Sequence, residues 1–394
     1  MRRRTRLNVA LLAPLAVPAV ARSANASIDI HGLDRELFEL GDALRRNSGA
    51  ADLRHLRRVE RVGRLCEVLG IGSAWIFPNP ISILLLAQAM MVRFVIGHQV
   101  GHGSYDHIEG VPRRYTSSYF ARGWRRFIDW PDWWKYEDWL HTHNQLHHPH
   151  TQSVLDADIM DPEFLVRFPK WLRVACLAAM MATWKFTYYA PRMRRECAAK
   201  DAGAARIVRY EMRARDLLDV RDREVRILWM RSYVPYIAFR FAMPALIVLP
   251  LGSWAVTSVL SNLAVAELCH QAHAFICVRP SHCGADIPLF ARPYQARWEF
   301  YLQSVLGTVN YRPGGDTNDL LHGWANYQIE HHLWPGATLL QYRLVHPRLV
   351  EVCRCNAVPY REGNVLARFR MMAALFMGLT YQETLDTAAF REGR

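Results

Sequence analysis

The sequence predicts an all-α integral membrane protein whose four spanning helices form two hairpins, with its chemistry gathered on the cytoplasmic side. Three observations carry that prediction: apolar stretches come in pairs around turn residues, arginine-rich segments flank them, and histidines cluster where they end. Of the 394 residues 51% are hydrophobic, with 13 Trp, 13 Met and 16 Tyr, which fits one large aromatic-rich unit better than several soluble domains. The net charge of +13 comes mostly from arginine beside the apolar spans, where an anionic leaflet attracts it. The basic residues form no continuous face, which argues against a nucleic-acid partner. Eight cysteines without a CxxC pair read as reduced thiols facing the cytoplasm.

Residues 1–60 read as a basic, amphipathic extension. The first 26, MRRRTRLNVALLAPLAVPAVARSANA, have the basic start, apolar run and small-residue end of a secretory signal. Pro14 and Pro18 interrupt that run, and export would put a reducing metal enzyme on the wrong side, so an interfacial anchor is preferred to a cleaved signal. RHLRRVERVGR, at 54–64, is a basic collar that holds the N-terminal side in the cytoplasm. The main domain, 61–360, opens with a hairpin over 65–97, broken at the PNP of 78–80, whose second helix runs into His98. Arg113, Arg114, Arg122, Arg125 and Arg126 follow it, so both flanks are cytoplasmic. The stretch 171–190 is long enough to span, yet Arg173 and Lys185 interrupt it. If it crossed, the loop 191–231, with 12 Arg or Lys against 7 Asp or Glu, would lie outside. It is read as an in-plane helix. The second hairpin pairs 232–250 with 253–270 around PLGS and ends at His270 and His273. Residues 361–394 form a cytosolic tail, and both termini lie inside.

Most of the 17 histidines fall in four places. His98 and His102 sit four apart in HQVGH, so both rings project from one helix face. His143 and His147 in HTHNQLHH repeat that spacing, and the adjacent His148 allows one helix to serve two metals. His270 and His273 end the second hairpin, and QIEHH supplies Gln328, Glu330, His331 and His332. A structural zinc takes four ligands and a catalytic zinc three plus water, fewer than these clusters offer. Two metals with positions open to oxygen fit better, and iron is the metal that activates dioxygen with such ligands. His31, His55 and His346 read as surface or capped residues; His141, His150 and His282 fit no cluster and are left as supporting or surface residues.

HQVGH, HNQLHH followed by DADI (156–159), and NYQIEHHLWP (326–335) resemble the three histidine boxes of membrane fatty acid desaturases. The glutamine-led third box is similar to the front-end and sphingolipid branch. The resemblance runs over residues 75–360 and includes GTVNYRPGGDTNDLLHG and VPY. It implies a cytosolic helical cap over the four spans and a di-iron centre that uses O2 and two electrons to remove two hydrogens from an acyl chain. The implied ligands are His98, His102, His143, His147, His148, His331 and His332. One of His270 and His273 joins them, with His270 preferred because it continues the apolar helix. Gln328 becomes a weak ligand or a guide for the acyl chain. Asp156, Asp158, Glu330 and Asn326 lie close enough in sequence to accept imidazole N–H bonds, with Asp158 and Glu330 carried as catalytic; the Asp pair reads equally as an N-cap before PEFLVRF. Trp130, Trp133, Trp134, Trp139, Trp324 and Trp334 wall an acyl tunnel or sit in an interfacial belt. The substrate is an acyl-lipid, acyl-CoA or acyl-carrier. RPGG at 312–315 is not the HPGG of a fused cytochrome b5 domain, so electrons come from an external ferredoxin or cytochrome b5-like donor with its reductase. Hydroxylation, epoxidation or acetylenation on the same scaffold is the neighbouring alternative. A zinc-dependent membrane hydrolase or transporter is the distant one, disfavoured because transport ligands belong near the midplane.

Overall fold

A computed structural model describes residues 28–159, 167–203 and 214–391. The readings of residues 1–26 as signal or anchor lie outside the described residues. The described chain is mostly helical, and its strands form two parallel pairs of two residues each. β1 (Leu289–Phe290) pairs with β4 (Thr384–Leu385), and β2 (Asn310–Tyr311) with β3 (Glu362–Gly363).

α1 (Ile30–Arg46) starts on Asp29, whose side chain accepts from Gly32 N, a cap of about 1 kcal/mol. It buries Leu33 and Leu37 against Leu302, Val305, Leu349 and Val352, so residues 30–46 belong to a core shared with the C-terminal helices. α2 (Ala50–Ala74) takes the basic collar into its own N-terminal half. α3 (Pro80–Gly101) begins with Pro80 at its first turn and with Asn79 accepting from Ser82 N. The turn between α2 and α3 exposes carbonyls that lipid would leave unsatisfied. Asn262 satisfies them, donating to Ala74 O at 2.8 Å and Phe77 O at 3.0 Å while its own Oδ1 accepts from Asn79 N at 2.9 Å.

α4 (Lys170–Trp184) passes through a widened turn at Lys185–Tyr189 into α5 (Ala190–Asp201). The long helix α6, Arg223–Leu251, turns at Gly252 (φ 96°) into α7 (Ser253–Val278). α7 runs two helical turns past the end expected from the sequence, because LCHQAHAFICV continues its buried face. Four further helices follow: α8 (Arg297–Leu306), α9 (Gln328–Leu333), α10 (Leu339–Cys355) and α11 (Val365–Phe376). Among the described residues, α3 and α6 are the two helices long and apolar enough to cross a membrane. Large apolar side chains stand exposed along α2, α3, α6 and α7, among them Val68, Leu69, Ile81, Leu84, Leu246, Ile247, Trp254 and Leu268.

Candidate metal centre

Imidazole rings from four parts of the chain converge where α3 ends. Among the described residues, ring nitrogens of His98, His102, His143, His148 and His331 lie within 4.8 Å of one another. Those of His147, His282 and His332 form a second group by the same measure. His98 Nε2 stands 3.0 Å from both His331 Nε2 and His143 Nε2, and His143 Nε2 is 3.1 Å from His148 Nε2. Two ligands about 2.1 Å from one ion and at a right angle are separated by roughly this distance. His102 Nε2 and His332 Nε2 are buried with no hydrogen-bond partner in the protein, a costly arrangement that metal ligation removes. Burial, reinforced by neighbouring rings, pushes the pKa of His143, His148, His331, His332 and His282 well below the ordinary imidazole value, which keeps their lone pairs free to ligate. Burial pulls His147 the same way, but Asp156 and Asp158 outweigh it and the net direction is up.

The backbone explains the split into two groups. His98 and His102 share a face of α3, as their spacing predicts. The second cluster is instead a π-helical turn over His141–His147, in which His148 N bonds to His143 O, five residues back. That widening aligns His143 with His148 in the first group and turns His147 to the second, whereas an α-helix would have paired His143 with His147. The cause is Pro149, which has no N–H and whose ring clashes with the carbonyl four residues earlier unless the turn opens. The same relation recurs at Lys185–Tyr189 before Pro191, at Trp229–Tyr233 before Pro235 and at Ala238–Ala242 before Pro244. On α9 the adjacent His331 and His332 point about a quarter-turn apart and so serve different groups.

Partners hold the rings. His147 Nδ1 bonds Asp156 Oδ1 at 2.8 Å, and Asp156 Oδ2 accepts from Gln152 N. His331 Nδ1 meets Tyr342 OH at 3.2 Å, and His332 Nδ1 meets Thr151 Oγ1 at 3.0 Å. Trp139 stacks on His143 at 4.7 Å between ring centroids. Gly97 admits the Trp130 ring against α3, where a Cβ would come within 2.1 Å of it. Both histidine groups border one cavity, walled by Phe94, Val95, Trp139, Trp184, Trp324 and Leu339. A largely apolar chamber with metal-type ligands on its wall can hold an apolar ligand beside a metal.

Comparison with known proteins then decides the class. The fatty acid desaturase family profile matches residues 73–364. The chain belongs to the fatty acid desaturase family. Two stearoyl-CoA 9-desaturases described as NADPH-dependent, from two strains of Mycobacterium tuberculosis, are each 24% identical over 354 residues, covering 86% of this chain and 78% of the relative. This desaturase is therefore an oxidoreductase of fatty acid metabolism.

Within the desaturase, not every residue singled out in the sequence reaches the centre. His270 lies apart, its Nε2 3.0 Å from Lys185 Nζ, and His273 Nε2 bonds Leu321 O at 2.6 Å. His282, set aside in the sequence, stands in the second group instead. It follows α7 and its short Arg279–Ser281 turn, and Gln152 Nε2 donates to its carbonyl. The RPS that ends α7 was the available signal, since a proline there places the next histidine just beyond the helix. Gln328 Nε2 sits 3.1 Å from His282 Nε2 and lines the cavity. Asp158 also lines it, bonded to Arg192 at 2.6 Å and Tyr189 at 2.9 Å, with an oxygen 3.7 Å from His147 Nδ1. Glu330 points away, to His346 Nδ1 at 2.8 Å and Asn310 Nδ2 at 2.7 Å, and Asn326 bonds Asp319. Trp130 and Trp134 are core, Trp133 bonds Glu267, Trp334 lies against α1, and Trp139 and Trp324 wall the cavity.

Proposed function

We propose that this chain is a membrane-embedded, O2-dependent acyl-CoA desaturase that removes two hydrogens from neighbouring methylenes of its substrate. The observation that carries the reading is two buried histidine groups, five rings and three, on the wall of one largely apolar cavity. Two iron ions are the proposed cofactor, one among His98, His102, His143, His148 and His331, the other with His147, His282 and His332. When bound they supply the activation of O2 needed to break an unactivated C–H bond. The protein's part is to orient the rings through Asp156, Thr151 and Tyr342, and to exclude water with Trp139, Trp184 and Trp324. Asp158 and Gln328 face the cavity beside the second group and are proposed to orient the ligands there. Glu330 is proposed as an anchor of α9 rather than a participant.

α2, α3, α6 and α7 are proposed to cross the membrane as two hairpins, supported by their exposed apolar side chains, with the centre and both termini on the cytoplasmic face. Residues 61–360 form the proposed catalytic unit, flanked by the extension and tail. The acyl-CoA assignment rests on the names of the mycobacterial relatives. Electrons come in this reading from an external donor, a ferredoxin or cytochrome b5-like protein with its reductase. The test is iron per chain in detergent-purified protein, followed by mass spectrometry of products from stearoyl-CoA with O2 and a reducing system. Near two irons and a product lighter by two hydrogens is expected. Zinc with little iron, or a product that gains oxygen, would refute it.

A further inference from the structure

Trp324 stands between two cavities. It lines both the histidine chamber and an open cleft between α2 and the helix Asp316–His322. The cleft's other walls are His55, Arg58, Val59, Val62, Asp316 and Leu320. Two of these side chains carry polar atoms that the protein leaves without a partner: His55 Nδ1, on a residue 7% exposed, and Trp324 Nε1, on a residue 6% exposed. Their rings touch edge to face at 5.8 Å. An apolar slot that keeps two buried, unsatisfied nitrogens at its inner end is shaped for a ligand with a polar group followed by a hydrocarbon chain.

The backbone at Trp324 is unusual. Gly323 and Trp324 both have φ of 58°, a conformation bulky side chains rarely adopt. The glycine is forced by packing too, since a Cβ there would lie 2.2 Å from Met91 Cε. Trp324 N bonds Asp319 O at 2.9 Å, and Asp319 is itself fully buried against Arg343 and Asn326. The indole is thus held on a fixed post with its ring across the opening.

The cleft also lies where charge gives way to lipid-facing surface. Arg54, Arg57, Arg58 and Arg61 are exposed along the first turns of α2, and Leu65, Val68 and Leu69 are exposed just beyond them. On its Phe94 side the chamber borders a buried ion pair, Lys185 Nζ to Asp132 at 2.6 Å, which a hydrocarbon entering there would have to strip of its partners.

We propose that the acyl chain enters the histidine chamber through the cleft between α2 and Asp316–His322. Trp324 acts as its gate, His55 meets the carbonyl of the entering acyl group, and Arg58 holds a phosphate of its head. The proposal rests on the acyl reading above. It is tested on the full chain in nanodiscs with two fluorescent probes, parinaroyl-CoA added from solution and a parinaroyl phospholipid in the bilayer, which distinguish a thioester head from a lipid head. Thr317→Cys, at the exposed rim, is alkylated with a bulky maleimide to narrow the cleft, and equally treated unmodified chain corrects for native cysteines. Alkylation should slow uptake of the accepted probe by about tenfold or more, and Trp324→Ala should speed both uptake and release, with iron content unchanged. Trp324→Phe, which keeps the ring, should preserve the slow rates. Uptake at the unmodified rate after alkylation would overturn the gate while leaving the desaturase reading intact. Failure of the unmodified chain to bind either probe would overturn the acyl reading and the gate with it.

Discussion

One helical turn separates two buried regions that use histidine in opposite ways. Above Phe94, eight imidazoles face one another with two unsatisfied Nε2 atoms, and Asp156 and Asp158 are the carboxylates near them. Below Phe94, His270 shares a pocket with Lys185, Asp132 and Glu267, where the charges are paired: Lys185 with Asp132, and Glu267 with Trp133 and Tyr236 at 2.6 Å each. Burial, residue type and position at the end of an apolar helix are shared between the two. What differs is which atoms are left without a partner and what surrounds them. His270 meets Lys185 through Nε2 and leaves Nδ1 unpartnered beside paired charges, whereas the unpartnered Nε2 atoms of His102 and His332 sit among other imidazoles, as metal ligands would.

That contrast can be broken most sharply at the rings themselves. His143→Ala and His331→Ala should each lower desaturation by more than about 100-fold with loss of bound iron, and His282→Ala should lose iron from the second group, all read by elemental analysis and product assay. A variant of His282 with full iron and full turnover would remove it from the centre. One shell out, Asp156→Asn keeps the shape but weakens the bond that orients His147, so iron affinity or turnover should fall about 10- to 100-fold.

His270→Ala is the counterpart below Phe94. Iron content should stay at the wild-type level while the fold loses roughly 1–3 kcal/mol, seen as a lower melting temperature, because Lys185 is left with one partner fewer. Iron loss in this variant would return His270 to the centre.

The smallest effect concerns His346, which α10 holds against Glu330 of α9. Burial lowers its pKa, the bond to Glu330 raises it more, and the net direction is up. A folded pKa above the unfolded one gives stability that is fully present below about pH 6.5 and is lost as pH rises through the folded value. The melting temperature should therefore fall modestly from pH 6 to pH 9, and His346→Gln should flatten that slope.

Much of this was legible in the chain. The apolar pairs around PNP and PLGS gave both helical hairpins, because hydrophobic stretches broken by proline and glycine can fold in few other ways. HQVGH placed His98 and His102 on one face because helix geometry is local. Element ends were less visible: α2 begins at Ala50 and absorbs the arginine collar, since its opposite face packs on α10 through Leu53, Leu56 and Leu339.

By itself, then, the sequence determined three of the histidine clusters, the helices that carry them and the family they point to, all of which follow from short-range spacing, while His282 escaped it. The tertiary structure decided which ring serves which group. The choice between His270 and His282 depended on Lys185 and Asp132, residues 85 and 138 positions away, whose proximity no local pattern records. The assignment of His143, His147 and His148 depended on a turn that opens because of Pro149. That cause was present in the sequence, yet its consequence appears only when the widened turn is placed against α3 and α9.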